Sequence, residues 1–232
     1  YEIKYEDDKG EHKYVHQTTY GMSERLVGAV VAIHGDDKGL VLPPDIATVQ
    51  VVVIPVLAKG AVEEVTEEAR DVQKELRDAG VRAHLDERDL RPGAKYYDWE
   101  LKGVPLRLEL GLRDMEKQQV TLVRRDTGEK SVHPRAHVAE GVRKMLADIA
   151  MDMLDLAQRE MDSNTVTVDT LDNLPAKLVR TGWCGGEECG REIEARSNKN
   201  ILGTPIDGER YDGACVICGK PTEKPVYLAD AM

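Results

Sequence analysis

The chain has 232 residues with 41% hydrophobic content, enough for one large domain or two to three small ones with real cores. No run approaches the roughly 20 apolar residues needed to cross a bilayer, and the N-terminus lacks a signal peptide's basic-apolar pattern, so a soluble, cytoplasmic protein with no membrane partner is expected. A net charge of -11 argues against nucleic acid as a partner of the whole surface, but between Asp86 and Arg135 eleven Lys or Arg stand against ten Asp or Glu, a locally relieved patch that permits RNA.

In chain order, the first predicted element is a helix. Ser23 is placed to act as N-cap, Leu26, Val27, Ala29, Val30, Val31 and Ile33 read as a helix buried on most sides, and Gly35 can close it. Arg25 then falls in the first turn, where free N–H groups and the positive dipole end favour a phosphate. A surface arginine on a core helix is the plainer alternative. Pro43-Pro44 marks a boundary, and a new domain is expected near Thr48.

Val49 to Val56 is a β-rich apolar run, the signature of a buried strand. Val62, Val65, Ala69, Val72 and Leu76 recur at spacings of three and four before Gly80, which predicts an amphipathic helix with a solvated, Glu-rich outer face. Val81, Ala83 and Leu85 alternate, as do Leu106, Leu108 and Leu110, and Val120 to Arg124 makes a further strand ending at Asp126-Thr127-Gly128-Glu129. Strand, helix and further strands imply a small mixed α/β sheet. A long helix through Val138, Val142, Met145, Ile149 and Leu156 closes it. After about Met161 the texture turns to short polar, glycine-containing pieces that hold all four cysteines.

Those cysteines form two close pairs, Cys184 with Cys189 and Cys215 with Cys218, separated by 25 residues. Two such knuckles can converge on one tetrahedral Zn2+, and a closed four-thiolate shell is structural rather than catalytic. Gly190 and Gly219, each directly after a cysteine, are placed to let backbone N–H groups turn towards sulfur. Two disulfides or four free thiols are the alternatives, the first disfavoured in a reducing compartment.

The segment from Asp86 to Lys102 mixes carboxylates with Arg and Lys, the partners that guanine's donor and acceptor edges require. Glu87, Arg88, Lys95 and Glu100 are the candidate contacts, with salt-bridge duty as the alternative for each. Trp99 is expected to pack in a core rather than stack on a base.

His16-Gln17-Thr18-Thr19-Tyr20-Gly21-Met22-Ser23-Glu24-Arg25 and His34-Gly35-Asp36-Asp37-Lys38-Gly39-Leu40-Val41-Leu42-Pro43-Pro44 closely resemble motif 3 and the exit segment of class II prolyl-tRNA synthetases of the archaeal and eukaryotic type. Leu85-Asp86-Glu87-Arg88, Arg91-Pro92-Gly93-Ala94-Lys95 and Trp99-Glu100-Leu101-Lys102-Gly103-Val104-Pro105-Leu106-Arg107 look like that family's anticodon-binding domain. The resemblance covers essentially the whole chain. It implies an α/β, α+β multi-domain fold: residues 1–47 the end of a class II antiparallel-sheet catalytic domain, residues 48–160 a mixed-sheet α/β anticodon-binding domain, and residues 161–232 a small α+β zinc-binding domain.

The activity so implied joins proline to ATP and then passes proline to the terminal adenosine of proline tRNA, whose anticodon ends in two guanines. On the resemblance Arg25 contacts the ATP phosphates and is the catalytic group, Ser23 helps hold the nucleotide, and His16, Gln17, Thr19, Tyr20 and Gly21 line the substrate pocket. Mg2+ with ATP, structural Zn2+ at the four cysteines and a homodimer when intact are also implied. Motifs 1 and 2 are not in the sequence, and Tyr1 enters as though a longer chain had been cut. Many archaeal relatives end in Tyr, whereas this chain ends Ala231-Met232. The rival readings are a class II synthetase for another amino acid, against which HGDDKGLVLPP and WELKGVPLR argue, and a non-catalytic tRNA-binding zinc module.

Overall fold

A computed structural model describes residues 2–57, 60–206 and 208–230. Tyr1, Ala231 and Met232 lie outside the described residues, and with them the expectations placed on the two chain ends. The chain divides into two compact units, residues 1–143 and 144–232.

The first unit opens with an antiparallel pair, β1 (Lys4–Glu6) and β2 (His12–Tyr14), and helix α1 (Arg25–His34). Next come β3 (Val51–Val56), α2 (Val62–Asp78), β4 (Ala83–Leu85), α3 (Pro92–Leu101), β5 (Leu106–Gly111), α4 (Leu112–Glu116), β6 (Gln119–Arg124) and β7 (Lys130–Pro134). Five of these strands form one sheet in the order β4-β3-β5-β6-β7. β3 is parallel to β4 and β5, while β5, β6 and β7 run antiparallel, so the expected mixed sheet is present.

β3 is an interior strand, paired on both sides, and its run of Val51, Val52, Val53 and Ile54 is wholly buried, which is why it reads as continuous rather than alternating. Helix α2 covers the sheet with Val65, Ala69, Val72 and Leu76, the residues its periodicity singled out. It ends at Gly80, whose φ of 82° is the left-handed turn a glycine permits. Val52 and Ile54 pack with Trp99 and Val104, so α3 lies over that face of the strand.

α1 departs from expectation. None of its residues is buried, and Leu26, Val27 and Ile33 are more than half exposed. The periodic apolar pattern does specify a helix, but among the described residues no element packs across it. Its N-cap is Glu24 rather than Ser23, without a side-chain cap bond.

Helix α5 (Val138–Ser163) runs from the first unit into the second. The second unit then has β8 (Thr165–Thr167), β9 (Leu178–Gly182), α6 (Glu187–Ser197), β10 (Asn200–Gly203), β11 (Gly213–Ala214), β12 (Pro221–Thr222) and β13 (Pro225–Ala229). A four-stranded sheet, β10-β13-β9-β8, packs Val179, Val226 and Leu228 with Ile193 of α6 and Leu171. The cysteines lie beside this small core, after β9, in α6 and on the β11-β12 turn.

Candidate nucleic-acid interface and metal centre

The N-terminal candidates occupy an extended, exposed arm. His16, Gln17, Thr19, Tyr20 and Gly21 are all open to solvent, and Tyr20 is 93% exposed. One side-chain bond orders them, from Gln17 Nε2 to Thr19 Oγ1 at 3.3 Å. Arg25 is the first residue of α1 and is exposed. The neighbouring amides are less available than the sequence implies, because Leu26 N–H donates to the Ser23 carbonyl at 3.1 Å and Val27 N–H to the Glu24 carbonyl at 3.0 Å. Ser23 thus holds the turn with its backbone. The described residues line up these groups along one strand of chain but do not enclose them.

The segment after β4 folds around a buried carboxylate. Asp86, inaccessible to solvent, accepts from Arg88 Nε at 2.9 Å, Arg88 Nη2 at 2.7 Å and the Trp99 indole N–H at 2.7 Å. Burial alone would raise its pKa, but the Arg88 and Trp99 hydrogen bonds and the Lys95 charge outweigh it and hold the carboxyl well below the usual range. Lys95, only 2% exposed, donates to the Asp86 carbonyl at 2.9 Å. Lys95, expected as a base contact, is therefore turned inward onto the Asp86 turn. Trp99 packs in the core, as its apolar neighbours imply.

The other candidates reach the surface. Arg88 also pairs with Asp98 at 2.8 Å, and Glu87 pairs with Arg70 at 2.6 Å. Glu100, a quarter exposed, accepts from Arg107 Nη1 at 3.3 Å. That bond exposes a cluster the sequence reading did not single out. The Arg107 guanidinium lies 4.1 Å from the centre of the Tyr96 ring and donates to Glu109 at 2.9 Å, and Lys130 Nζ meets the other Glu109 oxygen at 3.1 Å. Burial and the Glu109 charge raise the Tyr96 pKa, so its phenol stays protonated.

The Arg107 guanidinium, with its side chain only 12% exposed, thus lies on the Tyr96 ring and is edged by two carboxylates and a lysine. Such a set supplies a stacking face, donors for O6 and N7, and acceptors for guanine N–H groups. Arg107 and Glu109 stand on β5 and Tyr96 and Glu100 on α3, so no local signal in the sequence joins them. Only the tertiary fold makes them neighbours, through the Arg107 contacts with Tyr96 and Glu100.

In the second unit the sulfurs of Cys184, Cys189, Cys215 and Cys218 lie within 4.8 Å of one another and could hold a metal ion. All four are free thiols. Desolvation pushes the Cys215 thiol up, but N–H groups of Cys218, Ile217 and Cys184 bring it down to about 6. Cys189 is pushed up to about 12 by hydrogen bonding to Cys184, by burial and by the remaining thiols. A thiol whose pKa is lowered by backbone donors, among three further sulfurs, suits a cation that replaces the shared protons.

Backbone N–H groups do turn towards the Cys215 sulfur, but they are those of Cys218, Ile217 and Cys184 and not the glycines' own. Gly190 sits inside α6 with its N–H bound to the Gly186 carbonyl at 3.0 Å, and Gly219 N–H is bound to the Cys215 carbonyl at 2.9 Å. Helix and turn formation take those donors away from sulfur. The positive φ values of Gly185 and Gly219, 84° and 68°, are what fold the chain back at each knuckle.

A family model described as an anticodon binding domain matches residues 50–145, and one described as prolyl-tRNA synthetase, C-terminal, matches residues 168–231. The proline–tRNA ligase of Thermococcus kodakarensis is 47% identical over 230 residues, covering 95% of this chain and 48% of the relative. That of Methanosarcina mazei is 46% identical, covering 99% and 49%. A crystal structure of prolyl-tRNA synthetase from Cryptosporidium parvum, complexed with L-proline and AMP, is similar with a TM-score of 0.85 at 35% identity, over 99% of this chain and 51% of that one. The chain spans about half the length of the curated relatives it matches. Both domain models are matched in order, and the identity to proline–tRNA ligases is sustained along nearly every residue, so this chain is similar over almost its whole length to part of the prolyl-tRNA synthetases.

Proposed function

We propose that this chain is the anticodon-reading and C-terminal portion of a proline–tRNA ligase, carrying also the motif 3 arm of its catalytic domain. The observation that carries the reading is the Arg107 and Tyr96 stack bordered by Glu100, Glu109 and Lys130 within the anticodon-binding match. Glu100 and Arg107 contact the two anticodon guanines, Tyr96 supports the guanidinium, and Glu87 and Arg88 lie at the edge of the same segment. Lys95 acts from beneath, by holding the Asp86 turn.

The whole enzyme activates proline as an adenylate and transfers it to the 3′ end of its tRNA. Arg25, exposed at the start of α1, binds ATP phosphate oxygens together with Mg2+, Ser23 helps hold the nucleotide, and His16 to Gly21 form one wall of the proline pocket. The apolar side of α1 is covered there by the class II sheet of a homodimer. Positioning and charge stabilisation supply the catalysis, since neither step needs a protein nucleophile. The four cysteines bind structural Zn2+ in the reducing cytoplasm.

The test is competition between the anticodon stem-loop of proline tRNA and the same RNA with both guanines replaced, at fixed salt. The native anticodon should win, and Arg107→Ala should weaken it by about tenfold, the scale of one lost bidentate base contact. Equal binding of the two RNAs removes the anticodon assignment. In the full-length enzyme, Arg25→Ala should slow proline-dependent ATP-pyrophosphate exchange at least about a hundredfold while leaving stem-loop binding unchanged; unaltered exchange removes Arg25 from its role.

A further inference from the structure

Resting on that anticodon reading, we infer that Arg125 is a positioning residue: it ties the last turn of α3 to the turn that leaves α1, so that RNA held at Glu100 and Arg107 tightens residues 36–42. The Arg125 side chain is 4% exposed, and its donors are spent on two separate segments. Nε donates to the Glu100 carbonyl at 2.9 Å, while Nη1 and Nη2 take the two oxygens of Asp36 at 2.8 and 2.6 Å. Its own N–H is fixed to the Pro105 carbonyl at 2.9 Å, just before β5.

A buried guanidinium is stable only when its charge and donors are matched, so the fork leaves little slack between its partners. Glu100 is the pivot, because its side chain faces Arg107 while its carbonyl is gripped by Arg125. Asp36 stands two residues beyond the end of α1 and closes a tight turn with Gly39, with paired backbone bonds of 3.1 Å. Two further bonds fasten the same strip to α3: Leu40 N–H to the Leu101 carbonyl at 3.1 Å and Leu42 N–H to the Gly103 carbonyl at 3.2 Å. A displacement of Glu100 on taking up a base therefore has a short, hydrogen-bonded route to the segment following the ATP arginine's helix.

The experiment is amide hydrogen exchange at Leu40 and Leu42, with and without the anticodon stem-loop of proline tRNA. RNA should slow exchange at these amides about fivefold in the wild-type chain, the lower end of ordinary coupling between sites. Asp36→Asn keeps the side chain's size and removes its charge. Arg125→Lys keeps the charge and removes the fork. Both should bind the stem-loop within about twofold of wild type yet lose the RNA-dependent slowing, with Val52 and Leu108 amides still protected as evidence of an intact sheet. Slowing that persists in both variants, or that is missing from the wild type with RNA bound, overturns the role of Arg125 alone. Equal binding of a stem-loop with its guanines replaced overturns the anticodon reading and this inference with it.

Discussion

Asp86 illustrates how a carboxylate beside the candidate RNA contacts can be a structural centre. It is buried, yet charged, because Arg88, Trp99 and Lys95 converge on it. Removing one member of a buried charged set leaves the others unmatched, so Asp86→Ala should destabilise the first unit by about 3 kcal/mol in denaturant melts. The pH dependence has a definite sign. A carboxyl whose folded-state pKa lies below its unfolded value, near 3.8, contributes stability that is present above that value and lost as pH falls beneath it. Acid titration of the melting midpoint should therefore show a decline below about pH 4 that Asp86→Asn reduces. Asp36, held low chiefly by its Arg125 hydrogen bonds, acts in the same direction.

Among the elements, α3 was hidden from periodicity, as were the short α4 and the polar α6. The buried positions of α3 are Lys95 and Trp99, a charged and an amphipathic residue, so an apolar template does not detect them. Pro92 at the first helical position was its available signal, a residue pre-set for that place. The end of α3 is shaped by two close approaches. A Cβ on Gly39 would lie 2.7 Å from the Leu101 backbone, and one on Gly103 would lie 2.7 Å from that of Leu40. Both glycines have positive φ, 132° and 69°. Gly103→Ala combines backbone strain with a main-chain clash and should cost about 2 kcal/mol, read as a lower denaturant midpoint, with faster exchange at Leu42. Gly128→Ala, also at positive φ but with open space around its Cβ, should cost less.

For the molecule as a whole, a net charge of -11 coexists with a proposed RNA site because recognition depends on a few placed groups rather than on the sum. The two units also rest on different supports. The first has a five-stranded sheet with a buried interior strand, β3, whereas the second combines a small core with four thiols on short segments. With zinc at the proposed four-cysteine site, chelation should therefore act selectively, lowering the melting transition of the second unit and leaving the protection of Val52 and Leu108 intact. With free zinc about a thousandfold above its dissociation constant the bound metal contributes about 4 kcal/mol. Cys215→Ser should reproduce the loss and make the chain insensitive to chelator, which calorimetry with and without zinc would show.

The sequence by itself determined the strands β3, β5 and β6, the helix α2, the mixed sheet and the convergent cysteine pairs, because each is encoded in local periodicity or spacing. Family resemblance in uninterrupted blocks pointed to the synthetase reading that the domain matches then bore out. Burial was decided only in three dimensions. Leu26, Val27 and Ile33 carry a core pattern yet face solvent, while Lys95 carries a surface charge yet lies inside. The reason is that a pattern states which face of an element is apolar, whereas only the tertiary structure supplies the surface that covers it or the carboxylate that draws a cation inward. Arg107, Tyr96 and Glu100, and Arg125 with Asp36, belong together for the same reason: the sheet order brings side chains from separate elements within bonding distance, and no local rule carries that information.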